Sequence, residues 1–174
     1  STTGLVETLV GLVPGGGGVK EMLYRWYEQE GDVTKAAWQA FINIGYGKTA
    51  RSPLEADNLA MFRANKDNYL MNRDRLLDTA VDATLKLSKN YSIQSNKPLP
   101  MPGHEVWQEM IDWLEKTYAK GHLTQHDVTT GTQIAMIVTG GDVDSGTLLD
   151  ENEIFALERK AFLTLAKTKE TKSR

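Results

Sequence analysis

The stretch GLVETLVGLVPGGGGVKEML, residues 4–23, decides how this chain is read. An apolar run from Leu5 to Val13 is cut by Pro14 and four consecutive glycines, Gly15 to Gly18, and passes directly into helix-forming sequence. Alternation predicts a strand over Leu5–Val13, with Leu5, Glu7 and Leu9 on one face. Glu7 is then an acid among apolar neighbours. Desolvation penalises its charged form, so it needs a partner or keeps its proton. The commoner fate of such a lone acid is a structural salt bridge.

The glycines permit a close backbone approach to a ligand, because no Cβ shields their amide N–H groups. A flexible linker is the plain alternative. Against it, the run lacks serine, is apolar on both sides and has a helix directly behind it. A Walker-type phosphate loop is excluded, since Lys and Ser/Thr do not follow at the required spacing. The dinucleotide fingerprint fails as well, for want of the acidic residue that closes its βαβ unit.

This segment resembles the strand, turn and helix at the second catalytic glutamate of crotonase-type enoyl-CoA hydratases, with Glu7, Pro14 and the glycine turn in matching order. The resemblance runs on. ARSPLEADNLAMFRANKDNYLMNRDRLLDTAVDATLKL is similar to the stretch trailing the hydratase core in bacterial proteins that join a 3-hydroxyacyl-CoA dehydrogenase to an enoyl-CoA hydratase/isomerase. GHLTQHDVTTGTQIAMIVTGGD and LERKAFLTLAKTKETKSR resemble the helical C-terminal region of the same proteins.

By that resemblance, Glu7 exchanges the proton on the carbon next to an acyl-CoA thioester, and the Gly15 amide lies near the attacking water. Pro14, Gly16 and Gly17 form the substrate-side backbone. The two oxyanion donors and the first glutamate belong to a part of the fold expected to precede Ser1, so the chain alone is expected to be inactive. That missing N-terminal part is an expected partner, alongside the acyl-CoA thioester. No cofactor is expected in the chain itself, and NAD serves only the separate dehydrogenase domain. The implied architecture is a mostly α fragment of an α/β ClpP/crotonase-like fold, with short N-terminal strands followed by about six to seven helices.

Composition agrees with a packed metabolic domain: 174 residues, 40% of them hydrophobic, suffice for one core. A formal charge of −3 argues against a nucleic-acid partner. The chain has no cysteine, which excludes disulfides, thiolate zinc and cysteine nucleophiles and fits a reducing, cytoplasmic setting. No apolar stretch approaches the roughly 20 residues that cross a bilayer. Apolar surface around Leu5–Val13, left bare without the preceding half, makes self-association into a homo-oligomer an expectation.

Beyond Gly18 nearly everything has helical periodicity. Met22, Leu23 and Trp26 mark one helix, and Ala37, Phe41 and Ile44 a second. Ser52, Pro53 and Glu55 combine cap, first-turn proline and capping-box acid. Asn72 is placed to cap a helix reaching about Lys89, whose apolar stripe is Leu76, Leu77, Ala80, Leu85 and Leu87. The proline-bearing stretch 92–103 divides a hydratase-like part, 1–91, from a helical module, 104–174. In that module Val106, Met110, Trp113 and Leu114 mark one helix. Thr124 and Asp127 open the next, and Asp150 opens a last one carrying Ile154, Leu157, Ala161 and Leu165.

Three side constellations favour plain readings. His122 and His126, four apart, straddle the Thr124 cap and lack a third ligand, so no metal is expected. Asp142, Asp144 and Gly146 lack the remaining acids of a calcium loop and fit a polar turn. Lys167, Lys169 and Lys172 fit a solvated helix end, with coenzyme A phosphates as the alternative. A different function class also stays open, in which the chain is a helical docking or assembly module and Glu7 is structural.

Overall fold

The computed structural model describes residues 2–63, 66–93 and 97–173. Its helices are α1 (Gly18–Glu30), α2 (Val33–Gly45), α3 (Pro53–Asn58), α4 (Leu76–Ser88), α5 (His104–Ala119), α6 (Gln125–Thr139), α7 (Glu151–Leu165) and α8 (Lys169–Ser173). Four strands of two residues each, β1 (Thr3–Gly4), β2 (Thr49–Ala50), β3 (Leu99–Pro100) and β4 (Leu148–Leu149), form two antiparallel pairs. The helix count exceeds the expected six to seven by α8, which at 5 residues is too short to show a periodic stripe.

Local chemistry sets the helix starts. Asp32 accepts from the Lys35 N–H at 3.0 Å, and Ser52 from the Glu55 N–H at 3.1 Å with Pro53 in the first turn. Thr124 with Asp127, and Asp150 with Glu153, form reciprocal capping boxes. Each such cap satisfies donors that a helix end leaves open, worth about 1 kcal/mol.

Helix α6 is the centre of the molecule, with α1, α2, α5 and α7 packed around it. That place explains why Ile134, Ala135, Ile137 and Val138 form an almost unbroken apolar run, all fully buried. Gly131 lets α5 come in close, since a Cβ there would lie 2.6 Å from Leu114 Cδ2. One hydrophobic core joins Val13, Leu23 and Ile44 to Met110, Ile134, Ile154 and Leu165, so residues from both sides of the 92–103 stretch share it. Positions 94–96 of that stretch lie outside the described residues.

The small sheets act as ties. Thr3 opposite Ala50 and Gly4 opposite Thr49 hold the N-terminal segment beside the chain leaving α2. Leu99 opposite Leu149 and Pro100 opposite Leu148 fix the entry to α5 beside the entry to α7.

Two expectations change. Residues 5–13 are not a strand: Glu7–Val10 is a 3-10 turn ended by Gly11 at φ 75°. The period is three rather than two, so Leu5 and Thr8 point inward while Val6 and Leu9 are 40% and 64% exposed. The helix after Asn72 does form, behind a short 3-10 turn at Arg73–Arg75. Its apolar stripe is uncovered, however, with no residue of α4 buried and Leu77 75% exposed.

Candidate functional site

The glycine turn is closely packed at two of its four residues, Gly15 and Gly18. Pro14 is buried, Gly15 is half-buried and Gly16 is exposed, with open space where its Cβ would stand. Gly17 caps α1 with φ 94°, a conformation that L side chains rarely adopt. A Cβ on Gly15 would lie 2.6 Å from the Phe162 ring, and one on Gly18 2.7 Å from Pro14. The run is therefore a packed turn rather than a linker.

The amides at the start of α1 have no partner within the helix, and an acid fills that gap. Glu158 of α7, 139 residues away along the chain, accepts from the Val19 N–H at 2.7 Å. Its side chain is 0% exposed, and Oε2 is buried without a hydrogen-bond partner among the described residues. Burial pushes the Glu158 carboxyl up to about 7; the Val19 and Gly17 amides, the Lys20 charge and the Lys20 amide offset it only in part. Lys20 itself pairs with Glu151, one turn of α7 beyond Phe155.

Phe155, Glu158 and Phe162 lie on one face of α7, and that face grips the turn. Phe155 approaches Gly17, Glu158 holds Val19 and Phe162 lies on Gly15. The sequence carried a signal for Glu158. It sits four residues after Ile154 and three before Ala161, in the middle of the apolar stripe of α7. The same pattern, an acid among apolar residues, singled out Glu7.

Glu7 opens the 3-10 turn and is half-buried. Its Oε2 is shielded from solvent and has no hydrogen-bond partner among the described residues. Its carbonyl accepts from the Leu12 N–H at 3.0 Å, which bends the chain back toward Pro14. The segment is pinned from both sides. Thr8 Oγ1 donates to the Ile44 carbonyl at 2.9 Å, and Thr171 Oγ1 of α8 donates to the Gly11 carbonyl at the same distance. His126 Nε2 lies 3.1 Å from Thr171 Oγ1, so this histidine belongs to the pin.

His122 is exposed, outside α6, while His126 is buried in its first turn. Among the described residues no group of three His, Cys, Asp or Glu side chains is placed to hold a metal ion. Asp142 pairs with His104 Nδ1 at 2.8 Å in a polar turn. No described helix is long and apolar enough to cross a membrane.

Beside the turn, Leu5, Gly18, Met22, Arg25 and Met61 line a cavity of about 170 Å³. That is smaller than the several hundred Å³ of a typical small-molecule site. Larger clefts of about 870 and 470 Å³ adjoin it, sharing Arg25 and Met61 respectively, and no glycine of the turn lines either.

No protein-family model and no solved structure matches the chain. It is 30% identical over 164 residues to a probable 3-hydroxyacyl-CoA dehydrogenase of Bacillus subtilis. The match takes in 94% of this chain and 21% of that protein, so the chain spans about one fifth of the length of its relative.

Proposed function

We propose that the chain is the distal part of a crotonase-type enoyl-CoA hydratase/isomerase domain, within a protein of the 3-hydroxyacyl-CoA dehydrogenase kind that serves fatty-acid β-oxidation. Similarity to the Bacillus subtilis protein supports the metabolic setting. The observation that carries the hydratase reading is Glu7 itself: a shielded carboxylate oxygen without a partner, eight residues before a packed glycine turn.

In this mechanism water adds across the conjugated double bond of a 2-enoyl-CoA. The water oxygen bonds to the β-carbon, a proton goes to the α-carbon, and the π bond between them is lost. Glu7 handles the α-proton, as a general acid in hydration and as a base in the reverse direction. The Gly15 amide orients the water, while Pro14, Gly16 and Gly17 keep side chains away from its path. The preceding part of the domain supplies the two oxyanion donors and the first glutamate. NAD belongs to the dehydrogenase part.

Crotonyl-CoA tests the reading in the longer protein that contains this segment, by following loss of enone absorbance. Glu7→Gln is expected to lower kcat on the order of 10²–10⁴-fold. Unchanged turnover removes Glu7 from the chemistry. The 174-residue chain by itself is expected to show no hydration. A second reading, a helical docking or assembly module, is favoured by one observation, the bare apolar stripe of α4.

A further inference from the structure

We infer that Glu158 is a positioning residue for the glycine turn, an internal ligand from α7 that holds the backbone around Gly15 in its working shape. The inference deepens the hydratase reading, and its catalytic consequence rests on that reading. Three independent features point the same way.

The first is placement. Glu158 is fully buried, and its Oε1 meets the Val19 N–H at 2.7 Å, in the first turn of the helix that follows the glycines. A solvent-free acid in an apolar stripe is costly to keep unless it answers a need for an acceptor. Here the need is the set of open amides that begins α1, which a carboxylate satisfies better than water could in a closed interface.

The second is that Glu158 does not act alone. Phe162 lies one turn along on the same face and bears directly on Gly15, at a distance that leaves no room for a Cβ. Phe155, one turn the other way, reaches the Cβ position of Gly17 at 4.0 Å. Polar and apolar contacts from one helix face thus fix the turn at three points, Gly15, Gly17 and Val19.

The third is that the turn cannot hold itself. Residues 15–18 have no side chains, and Gly17 supplies no side-chain cap to α1. Glycine has the largest conformational freedom to lose on ordering. Whatever fixes the direction of the Gly15 amide must come from outside the run, and α7 brings it. Lys20, paired with Glu151, keeps a positive charge beside the buried carboxylate and closes the α1–α7 contact.

Two variants test this in the 174-residue chain and in the longer protein. Glu158→Gln keeps shape and acceptor; Glu158→Leu keeps volume and removes the acceptor. In the 174-residue chain, NMR-detected amide exchange at Gly17, Val19 and Lys20 is expected to quicken about tenfold or more in Glu158→Leu, and to stay within about threefold of the parent in Glu158→Gln. Above about pH 7, where the Glu158 carboxyl is ionised, the Val19 amide proton is expected to shift upfield in both variants as the charge-assisted bond is lost.

In the longer protein, Glu158→Leu is expected to lower kcat for crotonyl-CoA by about tenfold with KM within about twofold, and Glu158→Gln is expected to rescue most of that loss. Equal exchange rates in all three proteins, or a Glu158→Leu enzyme with parental kcat, overturn the positioning role. Should the parent protein fail to hydrate crotonyl-CoA at all, the hydratase reading falls, and the amide measurements alone decide whether Glu158 holds the turn. If Glu158→Leu does not fold, the Val19 shift in Glu158→Gln, compared with the parent above about pH 7, decides: an unmoved resonance there refutes the contact.

Discussion

Helices α4 and α6 are of similar length, 13 and 15 residues, and both carry apolar positions at helical spacing, yet they end in opposite environments. Helix α6 buries eight residues at the centre of four neighbours; α4 buries none. The more strongly amphipathic sequence is the exposed one. An apolar stripe therefore states that a helix has a face to cover and says nothing about what covers it. For α6 the cover comes from α1, α2, α5 and α7. For α4 nothing among the described residues supplies it.

The largest expected effect breaks the comparison open at its buried end. Ile134 is fully buried beside α2 and α5, so Ile134→Ala leaves a cavity there and should cost about 2–5 kcal/mol in urea unfolding. A loss below about 1 kcal/mol would mean that α6 is not the packed centre.

Titration of the buried acid gives the next effect. In the folded chain Glu158 stays protonated up to about 7, against its ordinary 4.5. Between those values the native state holds a proton that the unfolded chain has released. Its contribution is thus fully present below 4.5 and is lost as pH rises through about 7, flat thereafter. The parent chain should lose about 3 kcal/mol across that window relative to Glu158→Gln, which does not titrate. A pH-independent difference between the two would contradict the burial of Glu158.

The smallest effect is expected at α4. Leu77→Ser with Leu85→Ser, at positions 75% and 60% exposed, should leave stability within about 0.5 kcal/mol while lowering the binding of an apolar dye. A loss of several kcal/mol would show that the stripe is covered in solution, and would turn the contrast with α6 into a similarity.

Much of the scaffold was legible because it is locally encoded. Ser52, Thr124 and Asp150 cap the helices they were expected to open, since a cap is a bond between residues two or three apart. The segment 5–13 departs from the strand that its alternation predicts. Its apolar residues satisfy a period of two on paper, whereas Gly11 and the contacts of Thr8 and Thr171 select a 3-10 turn. At the candidate site, Glu7 and the glycines stood out from their types and spacing. Glu158 carries the same kind of signal but is useful only once its partner is known, and that partner lies 139 residues back.

The sequence by itself determined where helices begin, which faces are apolar, and that a side-chain-free turn follows an acid in an apolar run; these depend on neighbours within a few residues. Only the tertiary structure decided which apolar faces are covered and which acid holds the glycine turn. The reason is physical: burial and desolvation are properties of surfaces brought together from distant parts of the chain, and no local pattern specifies which surface will arrive.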